Sequence, residues 1–201
     1  MPCHLLRAGI DTFTMTASPP VVSAACSYEL DEQLRLVAVD AAWSHFAVAN
    51  GADELVPPGP LGRSIFSFMA DATTVHLYGQ LLERVTSTGT PVEVPLRCDS
   101  PVERRFLRLR MEPRQGRIHV SSTVLRTEAR PAQALLEPTL ERGDAFLRAC
   151  SWCKRIEVAG SWLEVEEAVA RLGLFERAPL PQLTHGMCEP CYETVRDLLD
   201  A

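Results

Sequence analysis

The sequence predicts an α+β fold in two parts. The larger part, residues 25–127, is an antiparallel sheet with flanking helices. The smaller, residues 150–201, is a compact four-cysteine module with two helices. Three observations predict this. Apolar residues recur at every second position between Val92 and Val124, as strands with one buried face require. Val75, Tyr78, Leu82 and Val85 recur at helical spacing. Four of the seven cysteines form two Cys-x-x-Cys pairs beyond residue 149.

Each element follows from local chemistry. Residues 1–24 predict a flexible tail, in which Thr12–Pro20 is polar and ends in Pro19-Pro20, with Met1 and Met15 as alternative starts. Residues 34–39 alternate as a strand. Asp40 can cap a short helix bearing Trp43, Phe46 and Ala47, which ends near Asn50-Gly51. A loop rich in proline and glycine follows, anchored at its end by Ile65, Phe66 and Phe68. A longer helix is predicted over residues 71–87, stopped by Gly89.

Three strands come next. Val92, Val94, Leu96 and Cys98 share one face of the first. Pro91 and Pro95 lie on the other, which fits an edge strand. Leu107, Leu109 and Met111 face inward in the second, and Pro113-Arg114-Gln115-Gly116 turns it into the third. There Ile118, Val120 and Val124 alternate with Arg117, His119 and Thr123. Asp99 and Ser100 before Pro101 predict a turn, with Arg104 and Arg105 in solvent paired to Asp99 or Glu103. Residues 128–149 carry Leu135, Leu136, Leu140, Phe146 and Leu147, interrupted by Pro138 and Gly143. They predict a short helical linker rather than a dimeric coiled coil, because uninterrupted heptads are too few.

Composition excludes several classes. With 46% hydrophobic and 23% charged residues, the chain is neither disordered nor collagen-like. A net charge of −6 argues against a nucleic-acid binder. No apolar run approaches the ~20 residues that span a bilayer. Arg7 is the only strong positive charge before Leu30, and Asp11 breaks the apolar run, so a signal peptide is not predicted. These features predict a cytoplasmic protein. No nucleophile, histidine and carboxylate pattern points to an enzyme.

Cys150, Cys153, Cys188 and Cys191 carry the strongest chemical signal. Two residues between cysteines let both sulfurs meet one ion in a turn, and two such turns supply a tetrahedral zinc site with Zn–S of ~2.3 Å. A closed shell of four thiolates leaves no position for water, so the zinc is expected to be structural. The insert 154–187 exceeds the usual zinc-ribbon length. Its excess is assigned to a helix behind a capping box, Ser161 to Glu164, with Gly173 as its stop. A second helix is expected over residues 192–199. His185 is an alternative ligand or a donor to a ligand sulfur. The competing reading is a pair of redox dithiols, favoured like the metal site by Lys154 and Arg155 beside Cys153.

The order of strand, short helices, long helix and three-strand meander resembles a PAS domain over residues 28–126. So do Gly62-Arg63-Ser64-Ile65-Phe66-Ser67-Phe68 and Thr88-Gly89-Thr90-Pro91. Arg97-Cys98-Asp99-Ser100-Pro101 followed by Arg104-Arg105 resembles a string of bacterial PAS-like proteins that carry the same cysteine module. Over residues 150–195, Cys150-Ser151-Trp152-Cys153-Lys154-Arg155-Ile156, Trp162 and His185-Gly186-Met187-Cys188 are similar to a zinc-binding module appended to PAS, GAF and response-regulator proteins in bacteria.

The resemblance implies a sensor or interaction platform with a small cavity between sheet and helices. Cys98, facing inward, and His76, on the helix where haem-binding members place their axial ligand, are the candidate pocket residues. The Asn-Cys-Arg-Phe-Leu-Gln run of flavin-photoadduct members is lacking. The expectation is a bacterial signalling or regulatory protein with a protein partner, a small-molecule ligand in the PAS cavity and a homodimer among its candidate associations. A change at the sheet would alter the docking of residues 128–149, and the module would present Trp152, Lys154, Arg155 and Trp162 to the partner.

Overall fold

The alternating residues between Val92 and Val124 become one side of a five-stranded antiparallel sheet. The structure, a computed structural model, describes residues 24–200 except 50, 138 and 175–178. The tail predicted over residues 1–24, apart from Ala24, lies outside the described residues, as do Met1, Met15, Asn50 and Pro138. The strands are β1 (Ala24–Leu30), β2 (Leu36–Val39), β3 (Val92–Arg97), β4 (Glu103–Arg114) and β5 (Arg117–Ala129), in the order β2-β1-β5-β4-β3. Strand β3, with Pro95, lies at an edge as expected. Strand β1 was not anticipated. Cys26, Tyr28 and Leu30 are buried at alternate positions, a short pattern directly beside the polar tail.

Helix α1 (Ala41–Ala49) starts at Asp40, whose carboxylate accepts the Trp43 N–H at 2.7 Å. The same carboxylate accepts the Ser27 N–H and hydroxyl at 2.7 and 2.8 Å, tying the helix start to β1. Helix α2 (Ala72–Thr88) is capped by Asp71, which accepts the Thr74 N–H at 2.8 Å and hydroxyl at 2.6 Å. It ends at Gly89, whose φ of +68° suits a residue without Cβ. Its buried stripe runs through Leu77, Tyr78, Leu81, Leu82 and Val85, with Val75 only at the margin.

Between sheet and helices, Trp43, Tyr78, Leu82 and Met111 are fully buried. Each such side chain contributes roughly 2–3 kcal/mol by leaving water. The Tyr28 and Tyr78 hydroxyls satisfy each other by a hydrogen bond, and Trp43 packs edge-on against Tyr28 at 5.6 Å.

The second sheet has the order β8-β7-β6-β9: β6 (Arg142–Cys150), β7 (Ile156–Val158), β8 (Ser161–Leu163) and β9 (Leu180–Gly186). Strands β6 and β9 run parallel, and the other neighbours are antiparallel. Helix α3 (Val165–Leu172) buries Val165, Ala168 and Val169 on this sheet, together with Leu135 and Ile156. Helix α4 (Glu189–Asp200) closes the described chain. The fold class is therefore α+β, and no described helix is long and apolar enough to cross a membrane.

Three local expectations are corrected. Among the described residues, 128–149 hold no α-helix: β5 extends to Ala129, a 3-10 turn spans Ala134–Leu136, and β6 begins at Arg142. Pairing with β9, some 35 residues downstream, decides this, and local patterning does not carry that information. Ser161 does not cap α3. It pairs with Val158 across a two-residue turn, Ala159-Gly160, whose φ values of +49° and +79° suit a tight hairpin. Helix α4 begins at Glu189, so Cys191 lies inside its first turn and not ahead of it.

Replacing Asp71 by Ala removes both capping bonds of α2. The expected loss is ~1 kcal/mol of stability, read as a lower urea midpoint with an unchanged slope.

Candidate metal centre

The two cysteine pairs meet because β6 and β9 lie side by side and point the same way. Cys150 is the last residue of β6, opposite Gly186 at the end of β9. The chain beyond β6 folds back into β7. Cys150 N–H donates to the Arg155 carbonyl at 2.8 Å, and Lys154 N–H to the Cys150 carbonyl at 3.0 Å. Lys154 closes this turn at φ +65°, a left-handed conformation that costs a residue with a side chain about 1 kcal/mol or more. The chain beyond β9 enters α4. There Cys188 accepts the Tyr192 N–H at 3.0 Å through its carbonyl. Ser151 N–H donates to the Gly186 carbonyl at 2.8 Å and joins the turns.

The sulfurs of Cys150, Cys153, Cys188 and Cys191 all lie within 4.8 Å of one another, and Cys153 Sγ is 3.6 Å from Cys188 Sγ. Four sulfurs at ~2.3 Å from one tetrahedral ion would stand ~3.8 Å apart. The backbone N–H groups of Cys153 and Cys188 both approach Cys150 Sγ at 3.5 Å, an arrangement suited to a thiolate acceptor. The donor set therefore fits a single metal ion, and the four cysteines can hold one.

Four adjacent thiols oppose one another's ionisation. Hydrogen bonds from Cys153, then from Cys191, lower the Cys150 pKa below the ordinary thiol range, with help from the backbone N–H groups. Cys153 is pushed up to about 12, first by the hydrogen bond it gives to Cys150, and Cys191 is raised for the same reason. A divalent cation reverses this logic by favouring all four anions.

His185 is outside the group of sulfurs. It sits on β9 opposite Ala149 with an exposed side chain. The surrounding protein, and then Lys154, lower its pKa. Trp152, expected on the surface, is instead 3% exposed in the larger core. The turn geometry that aims both sulfurs at one point also aims the indole at the sheet. Lys154 and Trp162 are half-buried and Arg155 is exposed. Cys98 is buried at the end of β3, whereas His76 stands on the exposed side of α2 in an open groove with Glu32, Val75 and Glu83. The structure does not bring these two together.

The module grips the β3 edge. Arg97 N–H donates to the Trp152 carbonyl at 2.8 Å, and on the other side Arg84 Nη1 donates to the Leu199 carbonyl of α4 at 2.8 Å. Across the sheet face opposite the helices runs an arginine–carboxylate cluster. Arg97 binds Asp99 at 2.5 Å and both oxygens of Glu164 at 2.9 Å. Arg104 binds Glu166 at 2.8 Å, and Arg130 binds Asp99 at 3.2 Å. Asp99 and Arg130 side chains are each 1% exposed. Burial works to lower the Arg97 pKa, but Asp99 and Glu164 outweigh it and the net shift is upward. For Arg130 burial prevails and the pKa falls.

The expected pairing of Arg104 and Arg105 with Asp99 or Glu103 in solvent is thus replaced. Arg104 docks the module, and Arg105 Nε donates to the Cys98 carbonyl at 2.9 Å. Arg130 and Glu166 carry no local signal in the sequence, and Glu164 reads there as part of a helix cap; only the approach of two distant segments reveals their partners.

Arg97→Ala removes the two shortest bonds to Glu164, which keeps Arg155 at 3.2 Å, and leaves Asp99 to Arg130 alone. The expected cost is ~3–5 kcal/mol, measured by denaturation. Arg97→Lys should recover only part of it, since an ammonium cannot bridge both carboxylates in the fork geometry.

In comparison with known proteins, the chain matches no family model and no curated relative.

Proposed function

We propose that Cys150, Cys153, Cys188 and Cys191 hold one structural zinc ion. The module so clamped is coupled to a PAS-like unit, residues 25–127, in a cytoplasmic signalling or regulatory protein of bacteria. The observation that carries the metal reading is the convergence of four sulfurs within 4.8 Å on two turns. Four thiolates in a closed tetrahedron suit zinc. A cluster of several iron atoms would hold its thiolates farther apart. A zinc ion there supplies folding free energy of roughly 10 kcal/mol or more to a segment with a small core of its own.

The chain's own residues transmit this fixation. Cys150 and Cys153 set the β6–β7 turn, which places the Trp152 carbonyl at the Arg97 N–H. Cys188 and Cys191 set the start of α4, which places its far end at Arg84. What supports the PAS-like reading is the order of elements, with both helices inserted between β2 and the meander β3–β5. The space between sheet and helices is filled by Trp43, Tyr78, Leu82 and Met111. This favours an interaction platform for a protein partner over a small-molecule pocket built on Cys98 and His76. A change at β3 or β4 would reach the module through Arg97 and Arg104, which hold Glu164 and Glu166.

Elemental analysis of the purified chain should find one zinc per molecule. Cobalt in its place should give the absorption of a tetrahedral tetrathiolate site. Stripping with a strong chelator should move tryptophan emission to longer wavelength as Trp152 meets water, and should lower the melting temperature. Cys188→Ser should bind the ion much more weakly. A metal-free chain with unchanged emission and melting temperature would overturn the reading.

A further inference from the structure

The four sulfurs are not equivalent. Cys150 and Cys188 are 0% and 1% exposed, whereas Cys153 and Cys191 are half-buried. Those two line a cleft of about 380 Å³ at the seam between the two sheets, with the nearly buried Cys188 at its floor and with Arg97, Arg104 and Arg155 beside the carboxylates of Glu128 and Glu164. A small solute entering it reaches these two sulfurs directly and meets guanidinium groups on the way. Cys26, by contrast, lies in the core, where burial pushes its thiol up to about 11 and keeps it unreactive.

We propose that Cys153 and Cys191 form an oxidation site for a small peroxide, and that their joining as a disulfide releases the metal ion and frees the module from the β3 edge. This rests on the metal reading above. The Cys153 thiolate attacks one peroxide oxygen. The O–O bond breaks, an S–O bond forms, and the departing hydroxide takes a solvent proton to become water. The Cys191 thiolate then attacks the Cys153 sulfur of the resulting sulfenic acid. The S–S bond forms, the S–O bond breaks, and a second hydroxide leaves as water with another solvent proton. Two thiolates lose two electrons in all, and one hydrogen peroxide becomes two waters (an alkyl peroxide would become one alcohol and one water).

The two sulfurs already lie within 4.8 Å of each other, so small side-chain movements bring them to the ~2.05 Å of a disulfide. Only Cys150 and Cys188 then remain as donors, too few for a closed tetrahedral site. Because Cys153 closes the β6–β7 turn and Cys191 lies in the first turn of α4, loss of the ion loosens both contacts to the sheet at once.

The test uses the full-length zinc-loaded chain, with its zinc content measured beforehand. It is exposed to hydrogen peroxide with a zinc-binding dye present, and its disulfides are then mapped by mass spectrometry. The expected result is one zinc released per disulfide formed, about tenfold or more faster than spontaneous loss. The bond should join Cys153 to Cys191, and a dithiol reductant with added zinc should restore the starting state. A loaded chain that keeps its zinc under peroxide overturns this inference and leaves the metal reading standing. So does one that forms any other bond among the four, whether within a turn or from Cys153 to Cys188, whose sulfurs stand 3.6 Å apart. A chain that carries and accepts no zinc overturns the metal reading itself, and the inference with it.

Discussion

The parallel pairing of β6 with β9 is the constraint on which the C-terminal third depends. Because both strands end at the same level, Cys150 and Gly186 face each other, and the two cysteine turns that follow emerge at one point. An antiparallel pair would send them to opposite ends of the sheet. The hairpin into β7, the start of α4 and the burial of Trp152 all descend from this register. The left-handed Lys154 is tolerated for the same reason. Local strain persists where the surroundings overdetermine the conformation.

The arginine–carboxylate cluster acts differently. Five arginines and four carboxylates (Arg97, Arg104, Arg126, Arg130, Arg155, Asp99, Glu128, Glu164, Glu166) are joined in it, so their formal charges nearly cancel. Ion pairs taken out of water gain little net free energy, because desolvation offsets most of the Coulomb attraction. Their contribution here is orientation. Arg97 grips Asp99 with Nε and Nη2 while its Nη1 meets both oxygens of Glu164, which favours one placement of α3 relative to β3, whereas apolar contact alone would tolerate sliding. The cluster is thus a register mark between two sheets, and the cysteine centre is the fastener.

Much of this was legible in the sequence. Asp40, Asp71 and Gly89 are local signals, satisfied by backbone groups within a few residues, and each marks the helix boundary it predicted. The alternation in β3, β4 and β5 was equally plain because one face is apolar and the other charged. Pro95 identified the edge. The four cysteines were legible as a set because the chemistry of one ion fixes the spacing. What stayed hidden depended on distant partners. Residues 142–150 look like loop or helix until β9 lies beside them. Glu164 looks like a cap until Arg97 arrives from across the seam. Trp152 looks like a surface aromatic because neither neighbour in its turn says which way the indole points.

The bond from Arg97 N–H to the Trp152 carbonyl also closes part of a sheet edge. Strand β3 ends the five-stranded sheet and would offer open backbone donors to any passing strand. Pro95 has no N–H to offer, but Arg97 has one, and it is occupied by the Trp152 carbonyl. The cysteine turn is therefore also a lid on a sticky margin. Whatever loosens it bares a ladder position, and the freed edge gains a backbone donor to offer a passing strand.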